Sequence, residues 1–122
     1  MDAIRHNQKA VCSACFHDIE NCTCGKFDAE ILIDENMQEI LINLNEKGYK
    51  TVFSCEGHFD GFFHTYVKFC NDHSFSLIPK NFKYVKKHRI LEYAYKNKKN
   101  QEKFEEEKRE VLKNLLAWSE KI

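Results

Sequence analysis

Apolar side chains recur most regularly near the C-terminus. From residue 101 onward Phe104, Val111, Leu112, Leu115, Leu116 and Trp118 fall at three- and four-residue spacing beside a charged face, which predicts a long amphipathic helix docked on the rest of the fold. A second helix is expected after Asp34, where Met37, Ile40, Leu41 and Leu44 share one face. Asp34 stands at its N-cap, and Gly48 sits where a left-handed C-cap is needed. Residues 29–33 alternate weakly and read as a short strand. Residues 50–55, centred on Val52 and Phe53, and residues 66–70, with Val67 and Phe69 on one side, predict two paired strands. The loop between them, residues 56–65, holds Gly57 and Gly61. Residues 84–95 fit a strand or a helix, and residues 1–27 show little periodicity.

The expected architecture is therefore α+β. An N-terminal zinc-binding loop (1–27) precedes a domain (28–122) in which a central helix packs on a small antiparallel sheet and a long C-terminal helix follows. With 122 residues, 43% hydrophobic and 31% charged, the chain fits one modest core. Ten Phe and five Tyr supply its bulk, so it need not lean on disulfides. No apolar run approaches the roughly 20 residues of a membrane span, and residues 1–7 lack the apolar stretch of a signal peptide. A cytoplasmic location is the expectation, and in a reducing compartment cysteines serve as ligands, catalytic groups or buried thiols.

Four cysteines lie within thirteen residues: Cys12 and Cys15 two residues apart, then Cys22 and Cys24 in a tight pair before Gly25. Such spacing lets four sulfurs converge on one ion, and Zn²⁺ suits a tetrathiolate because it accepts tetrahedral sulfur ligation and has no redox chemistry. A closed shell of that kind is structural, with no position for a substrate water. Lys9, His17 and Lys26 are placed to offset part of its negative charge. A redox dithiol, an iron–sulfur cluster or unligated thiols are the other readings of the same residues.

A second constellation is Cys55, Glu56, Gly57 and His58, followed by His64, Cys70 and His73. Antiparallel pairing of the two strands puts Cys55 and Cys70 at opposite ends of the hairpin. Cys55, His58 and His64 are thus the easier open metal site, or Cys55 with His58 or His64 a nucleophile and base. A buried Cys55, a glycine turn and solvent-facing histidines are the bland alternative. The zero net charge also hides an asymmetry, since residues 18–60 are rich in acids and residues 80–103 in bases. Lys83, Lys86, Lys87 and Arg89, interleaved with Phe82, Tyr84, Tyr93 and Tyr95, suit phosphate contact and base stacking. No glycine-rich phosphate loop, Ser-His-Asp order or HExxH helix is present.

The run from Leu44-Asn45 through Gly48-Tyr49-Lys50-Thr51 to Ser54-Cys55-Glu56-Gly57-His58, with the strand Tyr66-Val67-Lys68-Phe69 and the late Leu115-Leu116-Ala117-Trp118, resembles a family of small uncharacterised proteins of low-GC Gram-positive bacteria and their phages. The resemblance implies no established activity, but it makes the Ser54–His58 element its most recognisable part. It suggests a phage-type accessory protein that engages a host or defence component. The expectation is a small zinc protein acting as a non-enzymatic binding module for a protein or nucleic-acid partner. An enzyme built on Cys55, His58 and His64, or an RNA- or DNA-binding protein acting through residues 80–103, are the alternatives.

Overall fold

The computed structural model describes residues 8–26 and 29–122. Strands β1 (Gln8–Cys12) and β2 (Glu30–Asp34) pair antiparallel, from Gln8 opposite Asp34 to Cys12 opposite Glu30. A 3₁₀ turn (Glu35–Met37) leads into helix α1 (Gln38–Glu46). Strands β3 (Thr51–Cys55), β4 (His64–Phe69), β5 (Lys83–Val85) and β6 (Ile90–Ala94) form a second antiparallel sheet in the order β3-β4-β6-β5, and helix α2 (Gln101–Lys121) closes the fold. The α+β class is as the periodicity predicts. No helix among the described residues is long and apolar enough to cross a membrane.

Strand β4 shows how the layers separate. Thr65, Val67 and Phe69 are buried while His64, Tyr66 and Lys68 stay partly open, the period-two pattern of a sheet with one packed face. The packed face meets α1 through Ile40, Leu41 and Leu44 and α2 through Phe104, Val111, Leu115 and Trp118, all members of one core cluster. The ambiguous stretch 84–95 resolves into a hairpin: β5, a 3₁₀ turn (Lys86–His88), Arg89 in the left-handed region at φ 57°, then β6. Leu91 and Tyr93 alternate inward there, so period two prevails over helix. Phe82, Tyr93 and Tyr95 are buried and Tyr84 is half-buried, so three of the four aromatics interleaved with the lysines are core rather than a stacking surface.

The N-terminal segment carries a strand that its weak periodicity did not announce. Val11 and Phe16 join the core cluster, so apolar packing as well as the cysteines orders this arm. Helix α2 is tied down at both ends. Asn100 accepts from the Lys103 N–H at 3.0 Å as N-cap, and Lys47 Nζ donates to the Ser119 and Glu120 carbonyls at 2.7 and 2.8 Å, where the helix dipole favours a cation. Between them the Glu107 carboxylate accepts from Tyr93 Oη and from the Lys96 and Asn97 backbone N–H groups, binding β6 and the loop after it to the helix.

Gly48 has the left-handed φ expected of it, +91°. Gly57 is the stricter case. At φ +90° an added Cβ would lie 2.8 Å from Tyr95 Cε1 and 3.2 Å from the His64 carbonyl oxygen. A Gly57→Ala chain should lose roughly 2–4 kcal/mol, combining the left-handed penalty with overpacking. Urea unfolding measures this, and a loss within about 0.5 kcal/mol, typical of exposed surface changes, would show that the loop absorbs the methyl.

Candidate functional site

Three features qualify as sites: the four-cysteine cluster, the Asp34–Cys55–His58 cluster, and the face of the larger sheet turned away from the helices. In the first, Cys12 ends β1, Cys15 lies in the turn after it, and Cys22 follows a 3₁₀ turn (Ile19–Asn21). The turn is set by backbone bonds from Phe16 N to the Cys12 carbonyl (2.8 Å) and from Cys12 N to the His17 carbonyl (3.0 Å). Sulfur separations are 3.8 Å for Cys12–Cys24, 3.7 Å for Cys15–Cys22 and 3.5 Å for Cys22–Cys24. Four metal–sulfur bonds of about 2.3 Å in a tetrahedron put sulfurs about 3.8 Å apart, whereas a disulfide needs about 2.05 Å. All six cysteines are free thiols, and the spacing of these four is that of a metal site.

Backbone N–H groups already point at the sulfurs, Ala14 at Cys12 (3.4 Å) and Lys26 at Cys24 (3.3 Å). Burial raises the Cys12 pKa, but the N–H groups of Ala14 and Cys15 outweigh it and bring the thiol to about 7. Burial pushes Cys15 up to about 12. Four neighbouring thiols cannot all ionise unaided, so a dication that fills the cluster must displace protons. Of the three bases placed by sequence to offset the charge, Lys9 is spoken for by Asp18 at 3.1 Å and Gln38 at 3.0 Å.

The second cluster was only half visible in sequence. Asp34 occupies the cap position of the 3₁₀ turn but makes no side-chain cap bond. Its Oδ2 instead accepts from the Glu56 N–H at 3.0 Å and lies 3.1 Å from His58 Nε2. Asp34, Cys55 and His58 each offer a ligand atom within 4.8 Å of the others, with Asp34 and His58 buried and Cys55 half-buried. His64, expected beside them, packs on the Phe62 ring at 5.7 Å and lines the open sheet face two residues along β4 from Tyr66, the cross-strand partner of Cys55. Cys70 and His73 lie at the far end, where Cys70 N bonds the Lys50 carbonyl and His73 packs against Tyr49 at 5.0 Å. Antiparallel pairing places them apart from Cys55, as expected.

Glu56, which the sequence places in a possible second site or partner-contacting loop, is used differently. Its carboxylate is buried against Lys108 Nζ at 2.6 Å and accepts from Asn36 N and Nδ2 at 3.2 Å each. Lys108 sits one turn after Phe104 within the apolar stripe of α2, and that misplaced charge was the signal for a buried partner. The Glu56 carbonyl accepts from Thr65 Oγ1 at 2.8 Å and Tyr95 Oη at 3.3 Å. The element Cys55–His58 is thus clamped from β2, β4, Tyr95 just after β6, and α2.

The open face carries Phe53, Phe62, His64, Tyr66 and Ile90 around a groove of about 330 Å³. Phe53 is 61% exposed and Phe62 43%. A register shift between Thr51 and Phe53 breaks the alternation of β3, so that Val52 is also 43% exposed. Val52 and Phe53 line a further groove of about 280 Å³ together with Leu32, itself 63% exposed. Phe53 belongs to both grooves and joins them into one apolar patch. The basic residues are more committed: Lys86 pairs with Asp72 at 2.9 Å, Lys83 with Glu92 at 3.6 Å, and Arg89 Nε donates to the Phe69 carbonyl at 3.2 Å, with Lys87 exposed beside them.

Comparison with protein-family models, with curated proteins and with solved structures finds no match to this chain. The reading of its sites rests on their chemistry.

Titration of the metal-stripped chain with Co²⁺ should give the intense thiolate-to-cobalt absorption of a tetrahedral sulfur site. Cys15→Ser or Cys22→Ser should abolish most of it, and affinity should fall as pH falls, because the thiols must lose protons. A featureless titration would remove the cluster from the list of metal centres.

The Asp34–His58 pair gives a second expectation, for the metal-free chain. Burial works against the imidazolium, but the bonds to Asp34 and Cys55 outweigh it and raise His58 from 6.5 to about 9. For Asp34 burial is likewise outweighed, by His58 and the Glu56 N–H, and its pKa falls below 3.8. A raised histidine stabilises the fold fully below its unfolded pKa and loses that contribution as pH rises through the folded one. A depressed carboxylate stabilises above its unfolded pKa and loses this on acidification. The pair should thus stabilise most between about pH 4 and 6.5 and fade toward 9. Proton NMR titration should find His58 charged at neutral pH, and Asp34→Asn should bring it back toward 6.5. An unchanged midpoint would break the link.

Proposed function

We propose that this protein is a zinc-organised binding module that holds a protein partner on the apolar patch formed by Leu32, Val52, Phe53 and Phe62, and performs no chemistry on it. The carrying observation is that patch, four large apolar side chains each at least 43% exposed on adjoining grooves, whereas among the other described residues only Leu77 is a comparably exposed large apolar group. Contiguous exposed apolar surface of this kind marks interaction sites in proteins that fold around an adequate core. Zinc as the ion of the four-cysteine cluster is part of the same reading, supported by the tetrahedral sulfur spacing and by the preference of that ion for thiolates. A closed tetrathiolate shell fixes the arm that bears Cys12–Cys24 and leaves binding to the sheet. The phage-type setting rests on the resemblance of the Ser54–His58 element.

The alternatives are less well supported. Of the four candidate cations Lys83, Lys86, Lys87 and Arg89, three are already engaged by Glu92, Asp72 and a backbone carbonyl. A Cys55–His58 nucleophile and base would leave the exposed patch of Leu32, Val52, Phe53 and Phe62 unaccounted for.

The test compares partner capture from cell extract, and self-association by sedimentation, for the parent, Leu32→Asp and Phe53→Asp chains. Both positions are largely exposed, so the substitutions should cost within about 0.5 kcal/mol of stability. A protein retained by the parent at high salt and weakened at least tenfold by Phe53→Asp is expected. Binding that survives Phe53→Asp but falls steeply with salt and with Lys86→Ala/Lys87→Ala would transfer the function to the basic turn and a nucleic acid.

A further inference from the structure

We propose that Asp34, Cys55 and His58 form a second metal site, which takes a divalent transition ion such as Zn²⁺ with three protein ligands and keeps one coordination position open. This goes beyond the protein-binding reading and does not depend on it.

The donor set is a carboxylate oxygen, a sulfur and an imidazole nitrogen, all common partners of zinc, brought together from the end of β2, the end of β3 and the loop after it. Bonds of about 2.0–2.1 Å to nitrogen and oxygen in a tetrahedron put those atoms about 3.3 Å apart. His58 Nε2 and Asp34 Oδ2 stand at 3.1 Å, already at coordination spacing. Charge balances too. A carboxylate and a thiolate neutralise a dication, which matters because an uncompensated charge at this depth would be costly. The surroundings orient the donors: the Glu56 N–H bonds Asp34 Oδ2 at 3.0 Å, and the Gly57 N–H points at Cys55 Sγ at 3.4 Å. Polar hydrogens fixed on the ligands in this way are what metal centres use to hold donor geometry.

An ion pair between Asp34 and His58 would account for two of the three residues. Cys55 hydrogen-bonds into that pair, within coordination reach of both partners and with a backbone N–H aimed at its sulfur, so all three donors converge on one point. Burial also sets the direction of access. Asp34 and His58 are enclosed while Cys55 is half-open, and Cys55 stands across the strand pair from Tyr66, which lines the groove of the open face. The ion is therefore reached from the groove side, where a water or a donor atom of the bound partner completes its shell. A site with three ligands and water is the open kind, unlike the closed four-cysteine shell.

The full-length chain, stripped with a chelator and reloaded with Zn²⁺, should hold two equivalents, and Cys55→Ser or Asp34→Asn should hold one. A measurement on the unmodified chain guards against variants that misfold. Cys55 and Cys70 are the two thiols outside the four-cysteine cluster, and Cys70 is exposed, so alkylation followed by peptide mass analysis carries its own control. The second equivalent of Zn²⁺ should slow Cys55 labelling at least tenfold, reversibly on chelation, and leave Cys70 unchanged. Saturation of the unmodified chain at one equivalent, or Cys55 labelling at the same rate with and without the second, overturns the proposal.

Discussion

The buried carboxylate of Glu56 is the anchor on which the arrangement of the fold depends. Its charge is met by Lys108 from α2 at 2.6 Å and by Asn36 from the turn before α1. Its own backbone bonds outward in both directions, N–H to Asp34 and carbonyl to Thr65 and Tyr95. One residue thus joins both helical segments to both sheets. Removing either charge would leave the other stranded in the interior, which is why such pairs resist piecemeal change even when their net contribution to stability is small. The neighbouring Gly57 follows from the same constraint, since the loop must pass so close to Tyr95 that no side chain fits.

This anchoring explains why the element from Cys55 to His58 is so compact. A strand end, a buried acid, a left-handed glycine and a histidine directed back at Asp34 make one rigid corner, and each member fixes the position of the next. The corner separates two surfaces of different character. Toward the helices lies a continuous aromatic core in which Tyr95 packs on Phe104 at 4.6 Å and Phe75 on Trp118 at 5.4 Å. Toward solvent lies the sheet face with Phe53 and Phe62, whose exposure the core does not require.

Periodicity made α1, α2 and the β3–β4 pair legible, because their apolar spacing is produced by burying one face. The sulfur cluster was legible because its spacing is a local property of the chain. What stayed hidden depends on contacts between residues far apart in sequence. Asp34 reads as a helix cap on local grounds, and only the return of the chain at Glu56 and His58, more than twenty residues later, claims its carboxylate. His64 reads as a neighbour of His58, yet it packs on Phe62 along the open face and stands apart from the Asp34, Cys55 and His58 donor atoms. Strand β1 was missed because Val11 is nearly its only apolar signal, and the burial of Val11 depends on β2 and α1 being present. Lys108, by contrast, broke the apolar stripe in plain view.

The strand order has a consequence for how the chain is made. β4 lies between β3 and β6, and β6 is separated from β4 by the whole of β5 and its turn. A polypeptide leaving the ribosome can pair β1 with β2 and bring its four sulfurs together once Asp34 has emerged. The larger sheet must wait for residue 94, and its cover for α2 after that. During that interval the aromatic strands lack their cover, and the β1–β2 arm lacks most of the core against which Val11 and Phe16 come to pack.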